Sequence, residues 1–227
     1  MNSSVITFPG SNCDRDMDVA LKKFGFKNKM VWHNDIELPK GDLVVLPGGF
    51  SYGDYLRCGS MASKSRIMKS VINFAQGGGK VMGICNGFQI LVEAGLLPGV
   101  LLRNKYLEFI CKNIFVKINY KDNLYFGGIK KDTLEFHIAH NEGNYFCSKE
   151  QIKVIDDNDQ IALLYSNEAG DINEENNPNG SIKNIAGIFN KEKNVLGMMP
   201  HPERMIDPAL SGEDGSIFFE NLINNLR

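Results

Sequence analysis

A cysteine held between two glycines, Gly83-Ile84-Cys85-Asn86-Gly87, is the strongest chemical signal in this 227-residue sequence. It follows an apolar run at 80–84 and precedes a helical pattern at 86–94, so it reads as a nucleophile elbow. In an elbow a strand turns sharply into a helix and presents its central side chain at the carboxyl edge of a sheet. Glycine suits both flanks because a side chain there would collide as strand and helix close together. The helix N-terminus behind Cys85 favours a thiolate. The competing reading is a small buried residue in a glycine-rich turn, and the residues that could serve the thiol must decide.

A nucleophilic thiol needs a base, and the sequence has four histidines. His33 follows Trp32 near a strand end. His137 and His140 sit in an alternating run that turns one of them inward. All three read as structural or substrate-adjacent. His201 differs, because Met199-Pro200-His201-Pro202-Glu203 comes directly after an apolar run. The flanking prolines hold the backbone extended, so His201 and Glu203 point alike and the carboxylate can orient the ring. Cys85, His201 and Glu203 make a plausible triad. Without the elbow, the last two would read as an exposed ion pair in a proline-rich turn. Acyl transfer also needs donors for a tetrahedral oxyanion. One is the backbone N–H after the nucleophile, that of Asn86. The other must come from a loop after a neighbouring strand, and Leu46-Pro47-Gly48-Gly49-Phe50 leaves its glycine amides uncovered there.

The elements that must carry these groups follow from hydrophobic period. Residues 4–8 form an apolar run ending at Pro9-Gly10, and Met17, Ala20, Leu21 and Phe24 then recur at helical spacing before Gly25. Residues 29–32 and 43–46 read as strands, the second an unbroken apolar run of the kind buried on both faces of a parallel sheet. A helical stripe over 60–76 stops at Gly77-Gly78-Gly79, and 80–84 is the next strand. The first 95 residues thus predict an open α/β sheet with right-handed crossovers. Further on, β-type runs at 113–118, 133–138, 160–166, 185–189 and 195–199 predict antiparallel strands added at the sheet edge. Residues 170–180 are acidic and Asn-rich and predict a surface loop. A last helix at 215–226 places Phe218, Leu222 and Leu226 on one face. No linker or repeat divides the chain, so 1–227 reads as one domain.

Composition sets the outer limits. With 43% hydrophobic and 23% charged residues the chain can bury a sizeable core without disulfides or metals, which excludes disorder, collagen and coiled coil. A net charge of −2, with no basic run longer than a pair, argues against nucleic acid or anionic membrane as the main partner. No apolar stretch of about 18 residues exists, and the amino terminus lacks a targeting pattern, so a cytoplasmic place is expected. Five widely spaced cysteines fit neither a disulfide framework nor metal-ligand spacing. No GxxxxGK[ST] segment suggests an ATP site.

LPGGFSYGD at 46–54, GICNGFQIL at 83–91 and MPHPER at 199–204, in that order, resemble the triad (class I) glutamine amidotransferases. FPGSNCDRD at 8–16, LLPGVLLRN at 96–104, NPNGS at 177–181 and NIAGIFN at 184–190 narrow the resemblance. Together they are similar to the small glutaminase subunits that serve amidation of formylglycinamide ribonucleotide in purine biosynthesis. The family tends to read AHGEGR where this chain has Ala139-His140-Asn141-Glu142-Gly143-Asn144. The resemblance implies a flavodoxin-like amidotransferase fold and a γ-glutamyl thioester on Cys85. It also implies that His201 moves protons, Glu203 holds it, the Gly49 and Asn86 amides bind the oxyanion, and Gln89 contacts the thioester or the glutamine. Gln89 could otherwise be a helix-surface amide. Ammonia would pass to a separate synthetase subunit, with a small accessory subunit beside it. No cofactor is implied for this chain; ATP and magnesium, and with them nucleotide binding, are those of the synthetase. Tyr52, Asp54 and Arg57, just after the Gly48-Gly49 loop, could transmit contact with that partner. Two other readings remain: a free-standing thiol hydrolase, and a silent subunit that only scaffolds a synthetase.

Overall fold

In the computed structural model, which describes residues 1–209 and 212–227, the first half of the chain alternates as its periodicity requires. Strand β1 (Asn2–Thr7) leads through helix α1 (Asp14–Lys23) to β2 (Lys27–Trp32) and β3 (Leu43–Leu46). Helix α2 (Arg66–Gln76) then leads to β4 (Lys80–Ile84) and helix α3 (Asn86–Glu93). All of β3 is buried, as its unbroken apolar run demands. Phe88 and Leu91 of α3 are fully buried, and burying such a side chain contributes about 1.5–3 kcal/mol. The stripe expected over 60–76 is not one helix. Ser65 takes an extended ψ of 153°, separating a 3₁₀ turn (Ala62–Lys64) from α2, while its hydroxyl pairs with the Tyr52 hydroxyl at 3.1 Å.

The second half holds β5 (Val100–Leu102), β6 (Ile110–Ile118), β7 (Thr133–His140), β8 (Asn144–Phe146), helix α4 (Lys149–Asp157), β9 (Ile161–Ser166), β10 (Ile185–Phe189), β11 (Val195–Met198) and helix α5 (Asp214–Leu226). Nine strands form one sheet in the order β2-β1-β3-β4-β11-β10-β9-β6-β7, while β5 and β8 form a small antiparallel pair. One expectation needs correcting. β11 is not an antiparallel addition at an edge; it enters the middle of the sheet and pairs parallel with β4, Gly197 opposite Gly83 and Met198 opposite Ile84. That register brings the end of β11 to the same sheet edge as the end of β4. Its other neighbour, β10, is antiparallel, as are the β10–β9, β9–β6 and β6–β7 pairs. In the 170–180 segment residues 171–175 are exposed, but Asn179 near its end is fully buried, because its amide donates to Gly143 O and the Tyr165 hydroxyl. Helix α4, unforeseen, opens with a capping box in which Ser148 and Gln151 satisfy each other's backbone N–H. Among the described residues no helix is long and apolar enough to cross a membrane.

Candidate active site

The elbow forms as its glycines require. Cys85 sits between β4 and α3 at φ +50°, ψ −105°, a conformation that costs a non-glycine residue on the order of 1–3 kcal/mol. Its surroundings enforce it. A Cβ on Gly87 would stand 1.9 Å from Leu46 O, and one on Gly83 would stand 2.6 Å from Gly87 O, so strand and helix can close only over bare backbone. The Cys85 N–H donates to Met198 O at 2.8 Å, tying the elbow to the end of β11. The thiol is 5% exposed and approaches Ala139 O at 3.7 Å.

His201 follows β11 and is held on two sides. Its backbone N–H donates to His137 O on β7 at 2.8 Å, and its Nδ1 bonds Glu203 Oε1 at 2.6 Å with both side chains buried. The i, i+2 spacing therefore does place the carboxylate on the ring. Nε2 is buried with no hydrogen-bond partner, and the Cys85 sulfur lies close enough to act on the ring's charge. Burial by itself pushes the His201 pKa down, but the Glu203 carboxylate and then the Cys85 and Cys13 sulfurs outweigh it and hold the pKa well above its ordinary value. The imidazolium is thus the favoured form beside the thiol.

The two backbone groups expected as oxyanion donors lie on separate segments. Gly49 ends the turn after β3 at φ +136°, and Asn86 opens α3, where the first N–H groups have no intrahelical acceptor. The Asn86 side chain fastens the two segments: Oδ1 accepts from the Ser51 N–H at 3.1 Å, and Nδ2 donates to Gln89 Oε1 at 2.9 Å. Gln89 is buried and donates to Glu142 O at 2.6 Å, so it braces the pocket wall and is no helix-surface amide.

A cavity of about 200 Å³ opens on Cys85, bounded by Gly49, Phe50, Asp54, Cys58, Gln89, Arg103 and residues 139–142. Three of its groups had no role in the sequence reading: Cys58, Arg103 and Glu142. Arg103 Nε stands 3.8 Å from Glu142 Oε1, so the cavity offers one cation and two carboxylates, Asp54 and Glu142. Burial first, then the Glu142 charge, pushes the Asp54 carboxyl up. Burial, then Asp54 and Glu142, pushes the Cys58 thiol far up. Cys58 therefore stays a neutral thiol beside the cavity. For Arg103 and Glu142 the only sequence signal is their place in the stretches 96–104 and 139–144; Cys58 lies just past the 46–54 stretch, and the fold gathers all three at this cavity.

His140 lines the cavity but stays neutral. Its pKa is pushed down to about 3 by burial and then by the nearby His201 charge, while Nδ1 bonds Asn104 Oδ1 at 3.1 Å. Asn104 also accepts from the Gly143 N–H and donates to His140 O, so it clamps the loop in which Asn141 and Asn144 replace the family's Gly and Arg. Because the folded pKa of His140 is depressed, the unfolded chain binds more protons between roughly pH 6.5 and 3, and stability falls as pH falls through that window. Denaturant unfolding at pH 7 and pH 4.5 tests this. His140→Asn, which keeps a donor for Asn104, loses about 2 kcal/mol less than wild type over that interval. Equal losses would contradict the assignment.

Residues 1–212 match the family model of the CobB/CobQ-like glutamine amidotransferase domain. The chain is 84% identical over 227 residues, 100% of both chains, to phosphoribosylformylglycinamidine synthase subunit PurQ of Pelagibacter ubique (strain HTCC1062). The chain belongs to the PurQ family. PurQ of Ruegeria sp. (strain TM1040) is 47% identical, over 98% of this chain and 97% of its own. Among solved structures, a chain of PurLQS from Thermotoga maritima superposes with a TM-score of 0.88 at 38% identity, covering 100% of this chain and 99% of that one. A second glutamine amidotransferase from Thermotoga maritima, 16% identical, shares the fold at a TM-score of 0.65, covering 100% of this chain and 98% of that one. The PurQ-family fold is thus the class I glutamine amidotransferase fold expected, with its large, partly parallel sheet.

Proposed function

We propose that this chain is the glutamine-hydrolysing subunit of a phosphoribosylformylglycinamidine synthase, with Cys85 as nucleophile, His201 as proton carrier and Glu203 as its orienting carboxylate. The observation that carries the reading is the buried 2.6 Å His201–Glu203 bond beside a cysteine on a strained elbow. The Cys85 sulfur adds to the carboxamide carbon of glutamine, and the N–H groups of Gly49 and Asn86 receive the oxyanion. His201 gives its proton to the departing nitrogen, which leaves as ammonia, and a γ-glutamyl thioester remains. His201 then takes a proton from water, the hydroxide adds to the thioester carbon, and glutamate leaves as the sulfur is regained. Asp54 and Glu142 suit the ammonium end of glutamine and Arg103 its carboxylate end.

The ammonia passes to a synthetase subunit, which uses ATP and magnesium to convert formylglycinamide ribonucleotide to its amidine; no cofactor is assigned to this chain. The likeness to a chain of PurLQS supports a hetero-oligomer with that synthetase; a small accessory subunit and a cytoplasmic place belong to the same reading. The whole of 1–227 acts as one amidotransferase type 1 domain. Phe50 lines the cavity, with the Phe109 ring 6.5 Å from its own; both are exposed, as are Tyr55 and Leu56 in the segment that follows, and such exposed apolar groups suit a protein partner.

Coupling tests the reading against a free-standing hydrolase. Arg57 makes a bidentate pair with Glu93 at 2.7 and 2.6 Å, which joins the 48–57 segment to α3, the helix that starts at Asn86. The isolated chain hydrolyses glutamine slowly; adding synthetase, ribonucleotide and nucleotide raises the rate, and Arg57→Ala cuts the stimulated rate about fivefold. The measurement is glutaminase rate against added synthetase. Full speed without a partner would favour the free-standing hydrolase.

A further inference from the structure

One buried thiol has no part in the mechanism above, yet it touches the triad. Cys13, 3% exposed, occupies the N-cap of α1, a position that favours Ser, Thr, Asp or Asn because their oxygens accept the helix's first N–H groups. Here the side chain makes no cap bond. Its thiol donates to Asn12 Oδ1 at 3.4 Å, and the sulfur stands beside His201. Its sulfur, a His201 ring nitrogen and a Glu203 oxygen lie within 4.8 Å of one another. Gly48 closes the group: a Cβ there would stand 2.6 Å from His201 Cε1 and 3.2 Å from the Cys13 sulfur, so only glycine lets the three meet. The Cys13 N–H donates to Gly48 O at 3.4 Å, which ties α1 to the loop that presents Gly49.

A second contact fixes the sulfur from behind. Arg204 Nη2 donates to Cys13 Sγ at 3.1 Å, and Arg204 Nε stands 3.4 Å from Asp16 Oδ2 on the first turn of α1. Arg204 is the residue after Glu203. The start of α1 therefore grips the segment that carries both His201 and Glu203.

We propose that Cys13 is a positioning residue of the triad, fixing the His201 ring from the side of α1 and the Gly48 loop. The inference rests on the function proposed above. Five other groups bear on the ring: Glu203 at Nδ1, Cys85 from the elbow before α3, His137 and His140 from β7, and the Arg204 guanidinium. Glu203, Cys85 and Cys13 favour the imidazolium; the three others, when cationic, oppose it. Removing the Cys13 sulfur thus leaves His201 easier to deprotonate, and the alkaline limb of the activity profile, where the imidazolium proton is lost, moves to lower pH.

Cys13→Ser separates this role from a packing role. A serine at an N-cap recruits its oxygen to the helix N–H groups, so the variant melts at or above the wild-type temperature, yet it gives up the ring contact. In the holo-complex its kcat for glutamine falls about tenfold, the scale of about 1.4 kcal/mol of lost positioning, with KM unchanged and the alkaline limb shifted to lower pH. Cys13→Ala gives the same kinetic shift without the cap. Wild-type kcat and pH profile in both variants would overturn the proposal, as would a loss of activity that tracks melting temperature with the profile unmoved. Cys85→Ala in the same assay reads the triad separately: surviving glutamine hydrolysis there overturns the proposed function, whereas a dead Cys85→Ala beside an unchanged Cys13→Ser overturns only the role of Cys13.

Discussion

Cys85→Ala lowers glutamine hydrolysis by about four orders of magnitude or more, the scale seen when a nucleophile is removed from a triad, and leaves ammonia-driven synthesis by the assembled complex intact. The split follows from where the residue stands. Cys85 alone lies on the elbow, at the mouth of the cavity and beside His201. Alanine tolerates the same backbone turn about as well as cysteine, and the close approach over Gly87 is untouched, so the fold survives. The rival thiols lack the means to substitute. Cys58 is kept neutral by burial and two carboxylates. Burial likewise pushes the Cys147 thiol up, and Cys111 is exposed on β6, its sulfur 3.5 Å from His137 Nε2. Cys58→Ala and Cys147→Ala each keep glutamine turnover within a few-fold of wild type. The check is glutamine-driven against ammonia-driven product formation; loss of the glutamine reaction in Cys58→Ala or Cys147→Ala, but not in Cys85→Ala, would remove the elbow from the mechanism.

Glu203→Gln keeps the fold and lowers turnover by roughly two to four orders of magnitude. The side chains are nearly the same size, so packing is kept, but the charge that offsets the burial of His201 is gone. Burial then acts with less opposition and draws the ring toward its neutral form. A glutamine amide can also turn its NH₂ toward Nδ1, which selects the wrong tautomer for a proton carrier. His201→Ala costs at least as much. Steady-state kcat beside a melting curve checks both variants. Near-normal turnover in either would reduce the 199–204 segment to a turn.

Much of this was legible because backbone chemistry and side-chain chemistry coincide in the same short segments. The glycines at 83 and 87 announce both the turn and the nucleophile, and the apolar runs at 43–46, 80–84 and 185–189 give β3, β4 and β10 with their observed bounds. The parallel placement of β11 was not legible, since an apolar strand carries no mark of direction; its direction is set by the pairing of Val195 with Val81 and of Met198 with Ile84. The cavity groups Arg103 and Glu142 come from segments far apart in the chain, and no local pattern relates them before the sheet does. Gln89 could be read from sequence either as a glutamine contact or as a surface amide; the 139–144 loop covers it, with Glu142 O as its acceptor. Helix α4 was legible in principle, through the Ser148 and Gln151 capping pair.

The whole mechanism depends on a covalent step at one sulfur. Treating the chain, within its complex, with a glutamine-mimicking electrophile and then measuring intact mass and mapping the modified peptide tests that step directly. The expected result is one adduct per chain, located on Cys85, blocked by excess glutamine and formed far more slowly in His201→Ala. An adduct on another cysteine, or none on Cys85 while the chain still hydrolyses glutamine, would contradict it.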